Sequence, residues 1–458
     1  MMQSPSPFRF AGRAVKIGGS LLAALLVFGL ALAGAAWAHR RGASSPARDS
    51  SPHLTSDLTG SVPTRPGERI RLSTELGSIV VHTQDADKVD YKIHLETDAS
   101  QKDAQELLKS FAISSRETSD GLLLKAEASG RHSSGRLWVT LELDIPKNVG
   151  LDVSTGGGNI DASEIDGRVS LSTSGGNITA GNIGGAAHLE TGGGNISAKS
   201  VAGDLGANTG GGHITIDTVQ GNATLHTSGG HIRVTSIQGT AHLDTGGGNI
   251  TLEHSGGELT AETGGGEIEV GEAAGLVRAR TGGGGIRVVR VIGPTNLETS
   301  GGSIYLTQVD SPVKASTSDG GITAWFVSPP KSSGSGTCDL QSQAGDIVVH
   351  MPRDLAVTID AEVALGNEHR VIVDPAFPLK VSYDDSSNGA RTVRAEGSLN
   401  GGGPLVRLRT VDGNIRFELS DVSKQLEIYK QQMEQLQKQL QAQLRKAGVW
   451  QPGSDDVP

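Results

Sequence analysis

Three histidines and two carboxylates are the residues of this 458-residue sequence best suited to chemistry. His213 and His231 stand eighteen positions apart at equivalent places in a repeat, and His226 falls between them. Three imidazoles brought together would suit zinc or nickel, which accept neutral ring nitrogens as ligands. Asn159, Asn177, Asn195 and Asn249 fill the same place in other repeats, so the position reads as polar and solvent-facing rather than metal-binding. Asp244 and Glu262 are also eighteen apart. Stacked roughly 5 Å from one another, they would match the carboxylate separation of a retaining glycosidase or hold calcium. Arg280 and Glu298 continue that column, which makes it an alternating charge ladder on a surface. The expectation is no catalytic residue, no bound cofactor and no metal, hence no enzyme.

Other chemistries fail on composition. Cys338 is alone, so neither an intramolecular disulfide framework nor a cysteine-based zinc site can form. The glycine-rich stretches lack the Gly-Lys-Ser/Thr of a phosphate loop, and only Asp161 stands near the place that a nonapeptide calcium roll requires. A formal charge of -10 supplies no field for nucleic acid.

The spacing that places these residues is the dominant feature of the chain. Thr155, Thr173, Thr191, Thr209, Thr227, Thr245, Thr263, Thr281, Thr299 and Thr317 recur every 18 residues. Glycine follows three positions after each, from Gly158 to Gly320, and isoleucine five positions after each, from Ile160 to Ile322. A second glycine column runs from Gly167 to Gly293. Within a unit, Leu189-Glu190-Thr191 alternates, Gly192-Gly193-Gly194 turns, and Ile196, Ala198 and Val201 face inward again. That is strand, turn, strand, turn. Such short strands cannot bury a core singly, but stacked at about 4.8 Å they pair coil to coil and continue each side chain as a ladder. The fold class expected is all-β, a single-stranded parallel β-helix or β-solenoid with 18-residue coils. Thr155 shares an alternating face with Leu151 and Val153, so the threonines should point inward.

Partial copies extend the pattern: Thr74, Gly77 and Ile79 at one end, and Ser342, Gly345, Ile347 with Thr410, Gly413, Ile415 at the other. Between the first two copies Val89, Tyr91, Ile93 and Leu95 alternate, as do Leu137 to Ile145, predicting half-buried strands. Ser100 with Asp103 resembles a capping box, and Ala104, Leu107, Leu108 and Phe111 share a helical face. That helix is expected to cover the first coil and prevent edge-to-edge association.

Ile145-Pro146, Leu151, Val153, Thr155, Gly158 and Ile160, with the closing Gly397 to Gly403 and Thr410, Gly413, Asn414 and Ile415, resemble the bacterial "putative adhesin" family of envelope proteins over about residues 67 to 420. The resemblance implies a single-stranded parallel β-helix in the cell envelope, and it carries no catalytic residues to transfer.

The remaining segments organise the chain around that body. Residues 17 to 38 are uncharged and leucine-rich after Arg9, Arg13 and Lys16, long enough for a transmembrane anchor that sends the rest outward. Ala36-Trp37-Ala38 offers a competing signal-peptide cleavage site. The expected divisions are 1–41 cytoplasmic stub and anchor or signal, 42–66 disordered linker, and 67–150 capping region. They continue with 151–328 regular solenoid, 329–420 irregular coils, 421–447 amphipathic helix and 448–458 disordered tail. Leu426, Tyr429, Met433, Leu436 and Leu440 give that last helix a heptad-like stripe, suited to a homo-oligomer. The functional expectation is a non-enzymatic extracytoplasmic adhesin or scaffold with an unknown surface ligand, glycan or protein, membrane-held through its N-terminal helix. The alternatives are a carbohydrate-active enzyme, or a signalling or assembly component acting through the C-terminal helix.

Overall fold

The computed structural model describes residues 54–129, 135–330, 336–365, 369–385 and 391–420. Every regular coil contains two strands, one ending on the repeat threonine and one beginning at or beside the repeat isoleucine, for example Ala187–Thr191 and Ile196–Val201. Equivalent strands of successive coils pair in parallel with an offset of 18 residues, Ala187 with Leu205 and Ile196 with Ile214. Two long sheets result, here called the threonine-side and isoleucine-side sheets, and the expected solenoid architecture is present.

The core is one continuous apolar cluster from Ile70 to Phe417. Alternation alone selects what enters it: in Ala187–Thr191 residues 187, 189 and 191 are buried while 188 and 190 are exposed. The two inward apolar positions of the threonine-side strands compensate one another in volume. Ala187 is followed by Leu189, Leu205 by Ala207, Ala223 by Leu225, Ala241 by Leu243, Leu259 by Ala261 and Val277 by Ala279, all buried. Each of these coils thus places one larger and one small side chain in a cross-section whose size the backbone ladders fix, as close packing requires. Each buried isoleucine contributes about 1.5–3 kcal/mol relative to exposure.

Both ends depart from simple winding. At the N-terminal end the elements are β1 (Leu54–Pro63), β2 (Arg69–Thr74), β3 (Ser78–Gln84), β4 (Lys88–Thr97), α1 (Gln101–Ser110), β5 (Phe111–Thr118), β6 (Gly121–Ala128), β7 (Leu137–Pro146), β8 (Gly150–Thr155) and β9 (Ile160–Ala162). The first coil, β2 and β3, pairs on one side with β8 and β9 and on the other with β6 and β7, all parallel. The insertion therefore supplies an extra coil below the first, beyond the strands expected from alternation. Antiparallel partners terminate both ladders there, β5 on β6 and β4 then β1 on β7. The linker expected over 42–66 is thus replaced from Leu54 onward by β1. Leu58 and Val62 of that strand pack against the core, which its Ser- and Thr-rich composition concealed.

The helix forms as expected. Its Ala104 and Leu107 are buried beside Ala99, Leu54 and Leu137, against the capping strands rather than over the coil itself. Ser100 donates to the Asp103 carboxylate at 2.7 Å and its Oγ accepts no backbone N–H, so the two side chains meet without making the expected side-chain cap.

The C-terminal end repeats the device. Coil Cys338–Ser342 with Ile347–Met351 pairs with Leu405–Thr410 and Ile415–Leu419, although more than fifty residues intervene. Strands Val357–Val363 and Val371–Val373 lie beyond that later coil. Arg391–Leu399 and Lys380–Asp385 then close the threonine-side sheet in antiparallel fashion. The anchor or signal at 17–38 and the helix at 421–447 fall outside the described residues. Among the described residues no helix is long and apolar enough to cross a membrane.

Candidate functional site

The glycine and threonine columns hold coils together. Thr227 Oγ1 donates to the carbonyl of Gly212 in the preceding coil at 2.8 Å and accepts the N–H of Gly230 in its own turn at 3.1 Å. The donated bond recurs from Thr155 to Thr317 and again through Ser342 and Thr410. None of the repeat glycines from Gly158 to Gly320 has positive φ, unlike Gly77 of the first partial copy. The third of each turn is required by close approach instead: a Cβ at Gly212 would lie 1.9 Å from the Gly194 carbonyl oxygen. The middle glycine, such as Gly211, faces open space. The first is replaceable, since Ser174, Ser228 and Ser300 occupy it.

Beside this clamp runs the asparagine–histidine column. Asn159, Asn177 and Asn195 each accept, through Oδ1, the backbone N–H of the residue one coil on at 2.8 Å. His213 and His231 do the same through Nδ1, at 2.9 and 2.8 Å, and Asn249 at 3.1 Å. The rings of His213 and His231 stack with centroids 5.0 Å apart and planes 9° from parallel. Because Nδ1 accepts, the neutral ring carries its proton on Nε2, which leaves no lone pair for a metal without breaking the ladder. His226 does not join them. It stands on the threonine-side sheet with Nδ1 2.7 Å from the Asp244 carboxylate. Among the described residues no group of three or more His, Cys, Asp or Glu is placed to hold a metal ion.

Asp244 and Glu262 are register neighbours, as their spacing requires. The column does not alternate strictly as expected, since these two carboxylates adjoin; on either side His226 meets Asp244, and Arg280 grips Glu298 through Nε at 3.1 Å and Nη2 at 2.5 Å. The hydrogen bonds that Arg280 donates to Glu298 lower the pKa of the carboxyl and raise that of the guanidinium. These groups are exposed, so the pairs fix side-chain positions and add little stability. Cys338 is buried, and burial pushes its thiol up to about 11, an unreactive setting.

One aromatic group escaped the sequence reading. Trp325 stacks on His350 at 4.5 Å, and the Arg287 guanidinium lies 5.1 Å from the Tyr305 ring centre, all on the outward face of the isoleucine-side sheet. Arg287 and Tyr305 keep the 18-residue spacing and were legible. Trp325 and His350 are 25 apart because a longer connection intervenes, which hid their pairing.

Residues 68–274 match the family model described as Toastrack DUF4097. No curated protein matches the chain. Among solved structures, a "putative cell adhesion protein" from Clostridium sporogenes aligns at 9% identity over 80% of this chain and 100% of its own, with a TM-score of 0.17. A "putative adhesin" from Bacteroides fragilis aligns at 16% identity, over 54% and 96% respectively, TM-score 0.26. Another from Parabacteroides distasonis aligns at 12%, over 58% and 93%, TM-score 0.22. At such scores the architecture rests on the strand pairing described above.

Proposed function

Taking residues 68–274 as a segment of the Toastrack family, we propose that this chain carries a non-enzymatic extracytoplasmic solenoid. It displays its polar ladder faces to a surface ligand, and the 17–38 segment holds it at the membrane. The observation that carries this reading is the continuous core. Inward positions of both sheets are filled by apolar side chains and small hydroxyl residues from Ile70 to Phe417, so functional chemistry is left to the outer columns. Those columns are flat ladders of paired charges, amides and hydroxyls, suited to an extended partner more than to a small substrate.

Two measurements test it. The full chain applied to an array of glycans and matrix proteins should be retained by at least one class, and retention by none would reduce the solenoid to a spacer. Protease added to intact spheroplasts should remove the solenoid epitope. Protection there would overturn the extracytoplasmic placement.

A further inference from the structure

We propose that a second copy of this chain docks on the outward face of the isoleucine-side sheet, between Ile268 and Leu419, with Tyr305 and Trp325 at the centre of the contact. This goes beyond the display reading above and does not depend on it. Along most of the stack one outward column of that face is polar, reading Thr179, Ser197, Thr215, Arg233 and Thr251. After Glu269 it continues as Arg287, Tyr305, Thr323, Val348 and Arg416. Trp325, His350 and Glu418 stand in the next column, in line with Val289 and Thr307.

Val289, Tyr305, Ile292 and Val327 are exposed, four of the ten large apolar side chains so placed among the described residues, so apolar exposure is concentrated in three consecutive coils. Arg, Tyr and Trp without a lysine, beside exposed aliphatics, are the composition of a protein interface. An isolated peptide strand finds no seat there, since the central strands are paired on both sides and leave no edge to extend.

Charge and relief select a copy of the same face. Glu269, Glu272 and Glu418 are its carboxylates and Arg287, Arg290 and Arg416 its guanidiniums, so two chains of formal charge -10 meet here without net repulsion between the strands in contact. Tyr305 and Trp325 lie on one diagonal of the face and the smaller Thr307 and Thr323 on the other. A two-fold axis along the strands, midway between the coils of Ile304 and Ile322, sets each ring opposite a threonine of the other copy and runs the two solenoids antiparallel. Glu269 then faces Arg416, which also holds Asp346 at 3.0 Å. The one like pair, Glu272 and Glu418, has Arg290 beside it, already 3.0 Å from Glu272. Stacking of Arg287 on Tyr305 and of His350 on Trp325 holds both rings before docking, which lowers the entropy lost on association. Six coils at about 4.8 Å by six residues at about 3.3 Å give roughly 600 Å² of face per copy, so a pair reaches the lower bound of about 1,200 Å² for a specific interface.

The test combines sedimentation velocity of the full chain in mild detergent with cross-linking. The parent should associate, and Thr323→Arg should weaken association at least about tenfold because a long cation stands where a ring must land. Arg233 and Arg287 already occupy that column, so its melting temperature should hold. Tyr305→Ala with Trp325→Ala should weaken association at least as much. Cys338 is buried, so a thiol reagent reads introduced cysteines only. Glu272→Cys chains mixed with Glu418→Cys chains should be joined by a bis-maleimide of about 10 Å span, and neither variant should be joined to itself, its own two sites lying about 26 Å apart across the pair. Variants that associate like the parent, a parent that stays monomeric up to about 100 μM, or self-joining of either cysteine variant would overturn the proposal. A monomeric parent whose retention on the glycan and matrix-protein array is lost in Thr323→Arg would give the face to that other ligand instead. The display reading stands or falls by the array alone.

Discussion

The regular stack and the two ends reach the same core by opposite routes. In the stack each coil touches the one before it in sequence, and the threonine clamp spans 15 residues. At the ends the same clamp spans 78 residues, Thr155 to Gly77, and 65 residues, Thr410 to Gly345, because another segment was threaded to a further level first. Closing the longer loop costs only about 1.5 kcal/mol more, so the displacement is inexpensive and yields a terminus. A parallel ladder has no natural last strand. Reversal into β5, β4 and β1, or into Arg391–Leu399 and Lys380–Asp385, supplies edge strands that carry Pro63, Asp57, Lys380, Asp384 and Asp385, which discourage further pairing. Core chemistry changes along with topology. The regular coils bury aliphatic side chains, threonines and the small Ser255 and Ser311, whereas Phe111, Phe326, Phe377 and Phe417 are buried toward the ends, where cross-section is no longer fixed by identical neighbours.

This contrast can be broken most severely at the third glycine. Gly212→Val should abolish cooperative melting, because its Cβ would meet a backbone carbonyl that cannot move without shifting the coil. Gly211→Val, one residue away over open space, should melt within about 0.5 kcal/mol of the parent. Equal effects would refute backbone approach as the reason for glycine. Next in size, Thr227→Val strands the buried Gly212 carbonyl and Gly230 N–H and should lower stability by at least about 2 kcal/mol in urea titration. Thr227→Ser should lose less than about 1 kcal/mol, as native Ser342 maintains the donated bond. Ala223→Leu should overpack its coil by about 1–3 kcal/mol and be largely rescued by Leu225→Ala, whereas additive losses would dismiss the volume compensation.

The smallest effect is one of pH and belongs to the C-terminal coils. Burial holds His350 below its ordinary value of 6.5, against the pull of Glu418. Its folded-state pKa being depressed, the stability it contributes is present above pH 6.5 and is lost as pH falls through the lower folded value. His350→Gln should flatten that acid limb of the stability curve. An unchanged limb would assign the loss to other groups.

Where the code is local, the sequence was readable. Eighteen-residue recurrence of Thr, Gly and Ile fixed the period, the strand pair and the inward threonines, since each contact repeats at constant separation. The ends were less so. β6 carries Leu122, Leu124 and Ala126 in alternation but lacks the Thr-Gly-Ile signature, so its place as a coil beneath β2 emerges only from long-range pairing. β1 is hidden by its serines and threonines. In the asparagine–histidine column, Asn and His sharing one place in the repeat marked the position as polar. The acceptor that each gives to the backbone N–H of the next coil required coordinates.

The account stands on equivalent side chains stacking along one axis, and paired spin labels measure that directly. Labels at Thr179 and Glu269 lie five coils apart in one outward column, and labels at Thr179 and Tyr305 seven coils apart. Backbone separations of about 24 and 34 Å, growing linearly with coil number and narrowly distributed, are expected. Separations that fail to grow with coil number, or broad distributions, would contradict the stack.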